Sequence, residues 1–240
     1  MGHTLTSYAP PDMFYSILPD HHTVKETNDE WRYQRKLMQD LMAPAFLNNI
    51  AAPQLYASFM DLIRLWTEKM RLVKGHPFSA KQDVYDTALE AIWAAVFGSE
   101  GTATITRNQI ELLSRRKSMD LPPSPDDAIE FERAPAPPVF EAVLKLTDGL
   151  EYVGKSPFPR PLGFVMRHFF PSTRKNLQIK DRAMAEEIGK AEGRMAENKG
   201  DNARMTNAVD HMLRREQMAA EKQNRAPNYQ SKVMSAEVSS

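Results

Sequence analysis

Cysteine is absent from all 240 residues. Without a thiol, a disulfide scaffold, a zinc finger, an iron–sulfur cluster, a cysteine nucleophile and a thiolate-ligated haem are all excluded for this chain alone. Long apolar runs are missing as well. The longest, Ala91 to Phe97, falls far short of the ~18 residues that read as a transmembrane helix. The first 30 residues lack the basic-then-apolar layout of a secretion signal. The expectation is a chain that is soluble or aggregates, with any membrane attachment supplied by an anchor it does not carry. An excess of charge of either sign is also lacking, since Lys plus Arg is 31 and Asp plus Glu is 31. A general nucleic-acid binder needs surplus positive charge to displace counterions, so no nucleic-acid partner is expected.

What remains is ordinary globular composition, 42% hydrophobic and 26% charged, in a length that suits one domain of good size or two small ones. Residues 1–26, with Pro10, Pro11 and Pro19, read as an irregular arm. Thr27-Asn28-Asp29-Glu30 then forms a capping pattern with two acids in the first helical turn. The helix it opens should reach about Met42, because Pro44 disfavours helical geometry at Ala43. A second helix is expected from Pro53 to Gly75, with Leu55, Phe59, Leu62, Ile63, Trp66, Met70 and Val73 on one stripe. A third, from about Ser79 to Phe97, carries Val84, Ala88, Ile92 and Ala95 on one face and is closed by Gly98.

Residues 118–138 read as a proline-rich loop, since six of the 17 prolines fall between Asp120 and Pro138. A helical part follows over 139–225: a helix near 139–150, a second proline cluster, and LGFVMRHFF at 162–170 as a short helix or strand. Helices near 172–198 and 202–220 complete it. The first has Leu177, Met184, Ile188, Ala191 and Met195 on one side; the second has Met205, Val209 and Met212, with Asp201 or Asn202 as cap. Residues 226–240 read as a frayed end. The architecture is mainly α, with long proline-rich loops and little or no sheet.

Gly149-Leu150-Glu151-Tyr152-Val153-Gly154-Lys155-Ser156 matches the phosphate-cradling pattern GxxxxGK[ST]. That loop needs a preceding strand and a helix starting at its Lys. Pro159 and Pro161 would break such a helix in its first turn. A nucleotide-binding reading rests on this match only. His21 and His22 are neighbours, and His3, His76, His168 and His211 are isolated, which gives no metal set. Glu186-Glu187 and Arg214-Arg215-Glu216 read as solvated, charged helix faces.

The first helix holds a feature unlike plain core. At about 100° per residue, Trp31, Arg35, Met38 and Met42 share one stripe, which places Arg35 among apolar neighbours. A buried guanidinium is costly unless a carboxylate or phosphate meets it. Trp31, one turn earlier, offers an indole N–H beside it. The pair is a carboxylate clamp, or else Arg35 forms an internal salt bridge or snorkels to water.

Trp31-Arg32-Tyr33-Gln34-Arg35, followed by Ala43-Pro44-Ala45-Phe46, resembles the WxxxR helix and following segment of cytochrome P-450 monooxygenases, especially the fungal, membrane-bound kind. Phe78 to Gly98, with Asp83 and Ala88-Leu89-Glu90-Ala91-Ile92, resembles a further segment of that family. Ala208 to Glu216, with Pro227 and Tyr229, is similar to the stretch before its long central helix. The resemblance covers about residues 25–240 and implies one partial domain of the family's fold. It implies that Trp31 and Arg35 hydrogen-bond a haem propionate. It also implies haem as cofactor, insertion of one oxygen atom into an apolar organic substrate, and an NADPH-dependent reductase as partner, with Arg32 and Lys36 on the receiving face. Residues 139–171 would correspond to the access lid. The endoplasmic reticulum membrane is the implied location for the full-length family. The oxygen-activating helix would begin near Glu237, and the ExxR motif and the cysteine haem loop have no counterpart here, so the chain is expected to be inactive alone. From a different class, a helical interaction module without catalysis remains the alternative, using apolar stripes left partly uncovered.

Overall fold

The computed structural model describes residue 14 and residues 20–98, 104–197, 205–231, 234 and 238. Its helices include α1 (Asp29–Leu37), α2 (Ala52–Val73), α3 (Lys81–Phe97), α4 (Ile105–Ser114), α5 (Pro138–Gly154), α6 (Pro159–Phe169), α7 (Pro171–Glu197) and α8 (Ala208–Lys222). Among the described residues the only β pairing is an isolated parallel bridge between Phe78 and Ile129. The chain is mainly α, as its periodicity predicts. It forms two compact units, one from Met1–Ala43 with Glu141–Ser240 and the other from Pro44–Phe140.

In the Pro44–Phe140 unit, the helix expected to start at Pro53 begins nine residues earlier in sequence. A helical turn at Pro44–Phe46 passes through a π-helical turn at Leu47–Ala51 into α2. Pro53 lies in the first turn of α2, where a missing N–H removes no needed bond. Lys74 (φ 49°) and Gly75 (φ 97°) turn the chain out of α2, and Gly98 (φ 92°) ends α3 with its N–H on Ala94 O at 2.8 Å. No sequence pattern sets a separate boundary for α4, which is capped by Thr104 accepting from the Arg107 N–H.

Leu65, Leu72 and Leu113 form a core cluster here, with Trp66, Ile110, Met119 and Phe131 packed against it. The face of α3 turned inward is not the expected one. Val84 and Ile92 are exposed, whereas Asp83, Asp86, Thr87 and Glu90 are buried. Each carboxylate has partners. Lys69 Nζ donates to both oxygens of Asp83 at 2.7 Å, and the Trp66 indole N–H reaches Asp83 at 3.0 Å. Thr106 donates its N–H (2.9 Å) and hydroxyl (2.6 Å) to Glu90. Gln82 and Arg133 each donate to Asp86 at 2.8 Å. Satisfied carboxylates are tolerated inside, and they fix which face of α3 points in. The α2 stripe splits for the same reason: Leu62 and Val73 are buried, but Leu55, Phe59, Ile63 and Met70 are exposed.

In the other unit, Leu177, Met184, Ile188 and Ala191 of α7 are buried, as their spacing predicts, and so are Val209, Met212 and Leu213 of α8. The cap of α8 is Asn207, whose side chain accepts from the Asp210 N–H. The caps expected from sequence, Asp201 and Asn202, lie outside the described residues. Arg194 crosses from α7 to Asp210 at 2.7 Å. Residues 162–169, ambiguous between helix and strand, are helical. Pro159 and Pro161 stand in the first turn of α6, where proline is tolerated. The 149–156 octet is not a phosphate loop, because Gly149–Gly154 are the last turns of α5. Lys155 pairs back to Glu151 at 2.5 Å, so no loop of free amides exists there.

Candidate functional site

The corner formed by α1 and α8 holds every candidate binding residue that the sequence singles out. Asn28 caps α1 by accepting from the Trp31 N–H at 2.9 Å, which fixes the first turn and the place of Trp31. Gln34 and Leu37 form the buried face. Arg35 is exposed, not buried. The expected stripe fails because α1 stops at Leu37; Met38 turns (φ −95°, ψ 0°) into a 3-10 segment at Gln39–Met42, and Met42 ends 77% exposed. The predicted extended geometry of Ala43 before Pro44 is present (φ −74°, ψ 142°).

The structure nonetheless keeps Trp31 and Arg35 together. The Arg35 guanidinium lies 5.8 Å from the centre of the half-buried Trp31 ring, a cation–π contact. Among the described residues no carboxylate pairs with Arg35. Its neighbour Arg32 is engaged, donating to Asp29 at 2.7 Å.

The inward side of the same corner is a polar hub, although the charge pattern of Arg214-Arg215-Glu216 predicts a solvated face. Glu216 is 1% exposed. It accepts from the Tyr33 hydroxyl, from Arg225 at 2.6 and 3.1 Å, and from the Asn228 N–H at 2.9 Å. Burial pushes the Glu216 carboxyl up, but the hydrogen bonds from Arg225, Tyr33 and Asn228 outweigh it and hold the group below its ordinary range. Burial first, and then the Glu216 hydrogen bond, push the Tyr33 hydroxyl up to about 12. Arg215 makes a two-pronged contact with Asp40, and this hydrogen bonding lowers Asp40 against the opposing effect of partial burial. The signal that places Glu216 inside is its spacing: Val209, Met212, Leu213, Glu216 and Ala220 are one buried stripe. A cleft of about 380 Å³ lies beside the hub, with Lys36, Leu37, Met218 and Lys222 among its lining. Trp31 and Arg35 are not among its lining residues.

Neither the hub nor the cleft offers a nucleophile or a metal cage. Among the described residues, no group of three or more His, Asp or Glu side chains is placed to hold a metal ion. What the corner offers is an indole–guanidinium pair open to an anion, on a helix locked in place by Glu216.

Comparison with known proteins is specific. The chain is 30% identical over 92% of its length to cytochrome P450 monooxygenase TRI13 of Fusarium sporotrichioides. It is 28% identical over 92% of its length to cytochrome P450 monooxygenase xilC of Penicillium rubens, and 27% identical over 89% to a cytochrome P450 monooxygenase of Pestalotiopsis microspora. It spans 39% and 38% of the first two relatives' own lengths. No family model and no solved structure matches it. Over nearly all its length, then, the chain is similar to cytochrome P450 monooxygenases, and it corresponds to about two fifths of the length of such a protein.

Proposed function

We propose that the chain is part of a haem-dependent monooxygenase that inserts one oxygen atom into an apolar organic substrate, with electrons from an NADPH-dependent reductase at the endoplasmic reticulum membrane. The observation that carries this beyond likeness is the Trp31–Arg35 pair, stacked and without a carboxylate partner among the described residues. In this reading the Trp31 indole N–H and the Arg35 guanidinium hold one haem propionate by charge-assisted hydrogen bonds.

The fit extends to that end of the cofactor only. Haem supplies oxygen activation when bound through iron, yet this chain has no cysteine to ligate it. No step through the iron is assigned to these residues, and the chain by itself is read as inactive. Haemin titration followed by the Soret band tests the clamp. Arg35→Ala is expected to weaken haemin binding about tenfold or more, the worth of one charge-assisted bond, and to leave binding of haemin dimethyl ester unchanged. Equal affinity of both proteins for haemin overturns the clamp. A thiolate-type carbon monoxide band, or turnover with a reductase, overturns the inactivity.

The interaction-module reading keeps one specific support: apolar side chains on α2 and α3, among them Ile63 and Ile92 at 55% and 59%, face solvent. Self-association measurements address it.

A further inference from the structure

A feature that packing does not explain stands where α4 runs out. The helix ends at Ser114, and Arg115-Arg116-Lys117-Ser118-Met119 follow. Ser118 is the only serine or threonine of the chain that directly follows three consecutive cations. It is exposed and lies in no helix, strand or turn. Among the described residues its hydroxyl makes no hydrogen bond. Comparable hydroxyls are occupied. Thr67, three residues after Arg64, donates to Ile63 O at 2.8 Å inside α2. Ser114 donates to Glu111 O at 3.0 Å, and Ser124 accepts from the Asp126 N–H at 3.4 Å. The cations before Ser118 are loosely committed. Arg115 pairs with Glu111 and Arg116 with Glu132, both near the surface, and exposed pairs of this kind contribute little. Lys117 is exposed and meets no carboxylate among the described residues. The backbone on either side is held in place. Arg71 of α2 donates to Leu113 O at 3.2 Å and to Arg116 O at 3.1 Å, and Met119 packs against the Leu65–Leu72–Leu113 cluster.

We propose that Ser118 is a phosphoacceptor for an arginine-directed protein kinase. Kinases choose substrates by charge pattern, and one that favours arginine presents acidic groups to the cations two and three residues before the hydroxyl. Arg116 and Arg115 hold those two places. The exposed, unbonded hydroxyl in an irregular segment can enter such a site without unwinding a helix. The step is phosphoryl transfer from ATP. The bond from the γ-phosphorus to its bridging oxygen breaks and the Ser118 Oγ–P bond forms. ADP leaves with the electron pair of the broken bond, and the hydroxyl proton passes to the carboxylate base of the kinase. The product carries about 1.5–2 negative charges at neutral pH. It stands beside three cations, where it competes with Glu111 for Arg115 and with Glu132 for Arg116. A chain whose formal net charge is zero becomes acidic. This inference is independent of the haem clamp, since neither Trp31 nor Arg35 takes part.

Incubation of the full chain with magnesium-ATP and the catalytic subunit of cyclic-AMP-dependent protein kinase tests it, read by intact mass and by fragment mapping. One phosphoryl group is expected, on Ser118, with the isoelectric point moving to the acid side of its starting value near 7.0. Ser118→Ala should lower incorporation at least about tenfold, and Arg115→Gln/Arg116→Gln should slow it by a similar factor with Ser118 in place. Ser124→Ala, in the same loop, should be labelled like the original, with circular dichroism confirming that each variant stays helical. A synthetic peptide of residues 111–122 supplies the same sequence without the fold. Labelling of the peptide but not of the folded chain overturns the proposal, because Met119 and Arg71 would then hold the segment out of reach. Undiminished labelling of Ser118→Ala, an unchanged rate in the double arginine variant, or no labelling of either chain or peptide overturns it as well.

Discussion

Glu216 stays charged while 1% exposed because the Tyr33 hydroxyl, the Arg225 guanidinium and the Asn228 N–H all donate to it. Tyr33→Phe removes a hydrogen bond to a charged group and should cost about 1.5–3 kcal/mol in urea unfolding. Glu216→Ala should cost more, because Tyr33 loses its acceptor as well. The pH dependence follows from the directions. Glu216 and Asp40 are both held below their ordinary values. Their contribution is therefore complete above the unfolded values and lost as pH falls through the lowered ones. His21, lowered by burial and by His22 to about 4, adds a loss as pH falls from about 6.5 towards 4. At the alkaline end the sign reverses. Tyr33, raised from 10.0 to about 12, contributes fully below 10 and loses that contribution as pH rises towards 12. Urea midpoints should thus fall on both sides of neutrality, and Tyr33→Phe should flatten the alkaline limb and, by removing one of the donors that lower Glu216, weaken the acid limb as well. An alkaline limb unchanged in that variant would show that Tyr33 does not titrate as the hub requires. The sequence carries part of this. The spacing of Glu216 in a buried stripe is readable, but its partner Tyr33 lies 183 residues away and no local pattern announces it.

At the scale of elements, α3 is the clearest case of sequence pattern and packing pointing different ways. Period and caps locate the helix correctly, from the Ser79 region to Gly98. Apolar periodicity then selects Val84 and Ile92 as the inner face, whereas Asp83, Asp86 and Glu90 are inside. The missing information is the set of donors that lie outside α3, namely Lys69 and Trp66 on α2, Thr106 on α4 and Arg133 in the loop. The α1 stripe fails for a related reason, since a period projected through Met42 assumes a helix that ends at Leu37. Lys69 and Asp83 provide the test. Lys69→Met alone leaves Asp83 charged and reduced to the Trp66 indole, and should cost about 3–5 kcal/mol. Asp83→Asn in the Lys69→Met background should recover a large part of that loss, because no uncompensated charge remains. A double-mutant cycle in urea reads the coupling directly. Additive losses would mean that the pair does not set the inner face of α3. The cation–π contacts of Lys69 with Phe131 (4.9 Å) and Phe78 (5.4 Å) would add to the single-variant loss without changing the sign of the coupling.

For the whole molecule, the two compact units share a balance of charge and apolar surface that governs behaviour in solution. The formal net charge is zero, with a pI near 7.0. Long-range repulsion between copies is therefore minimal at neutral pH. Tyr56, Phe59, Ile63 and Met70 on α2 are 68%, 46%, 55% and 58% exposed, a helical run of uncovered apolar side chains. These two facts predict concentration-dependent association near pH 7, weakening as pH moves towards 9 and the chain becomes negative. Sedimentation velocity over a tenfold range of concentration, at both pH values, reads the effect. Ile63→Ser/Met70→Ser should shift the distribution towards monomer, and because both side chains are exposed the fold should persist. If Phe164→Ser/Phe169→Ser shifts it equally, association is spread over the apolar surface and α2 is no privileged contact. If only the α2 variant shifts it, α2 carries self-association. A strictly monomeric chain at pH 7 would mean that satisfied polar interiors, such as the one around Lys69 and Asp83, keep each unit self-sufficient despite its uncovered faces. The interaction-module reading would then lose its specific support.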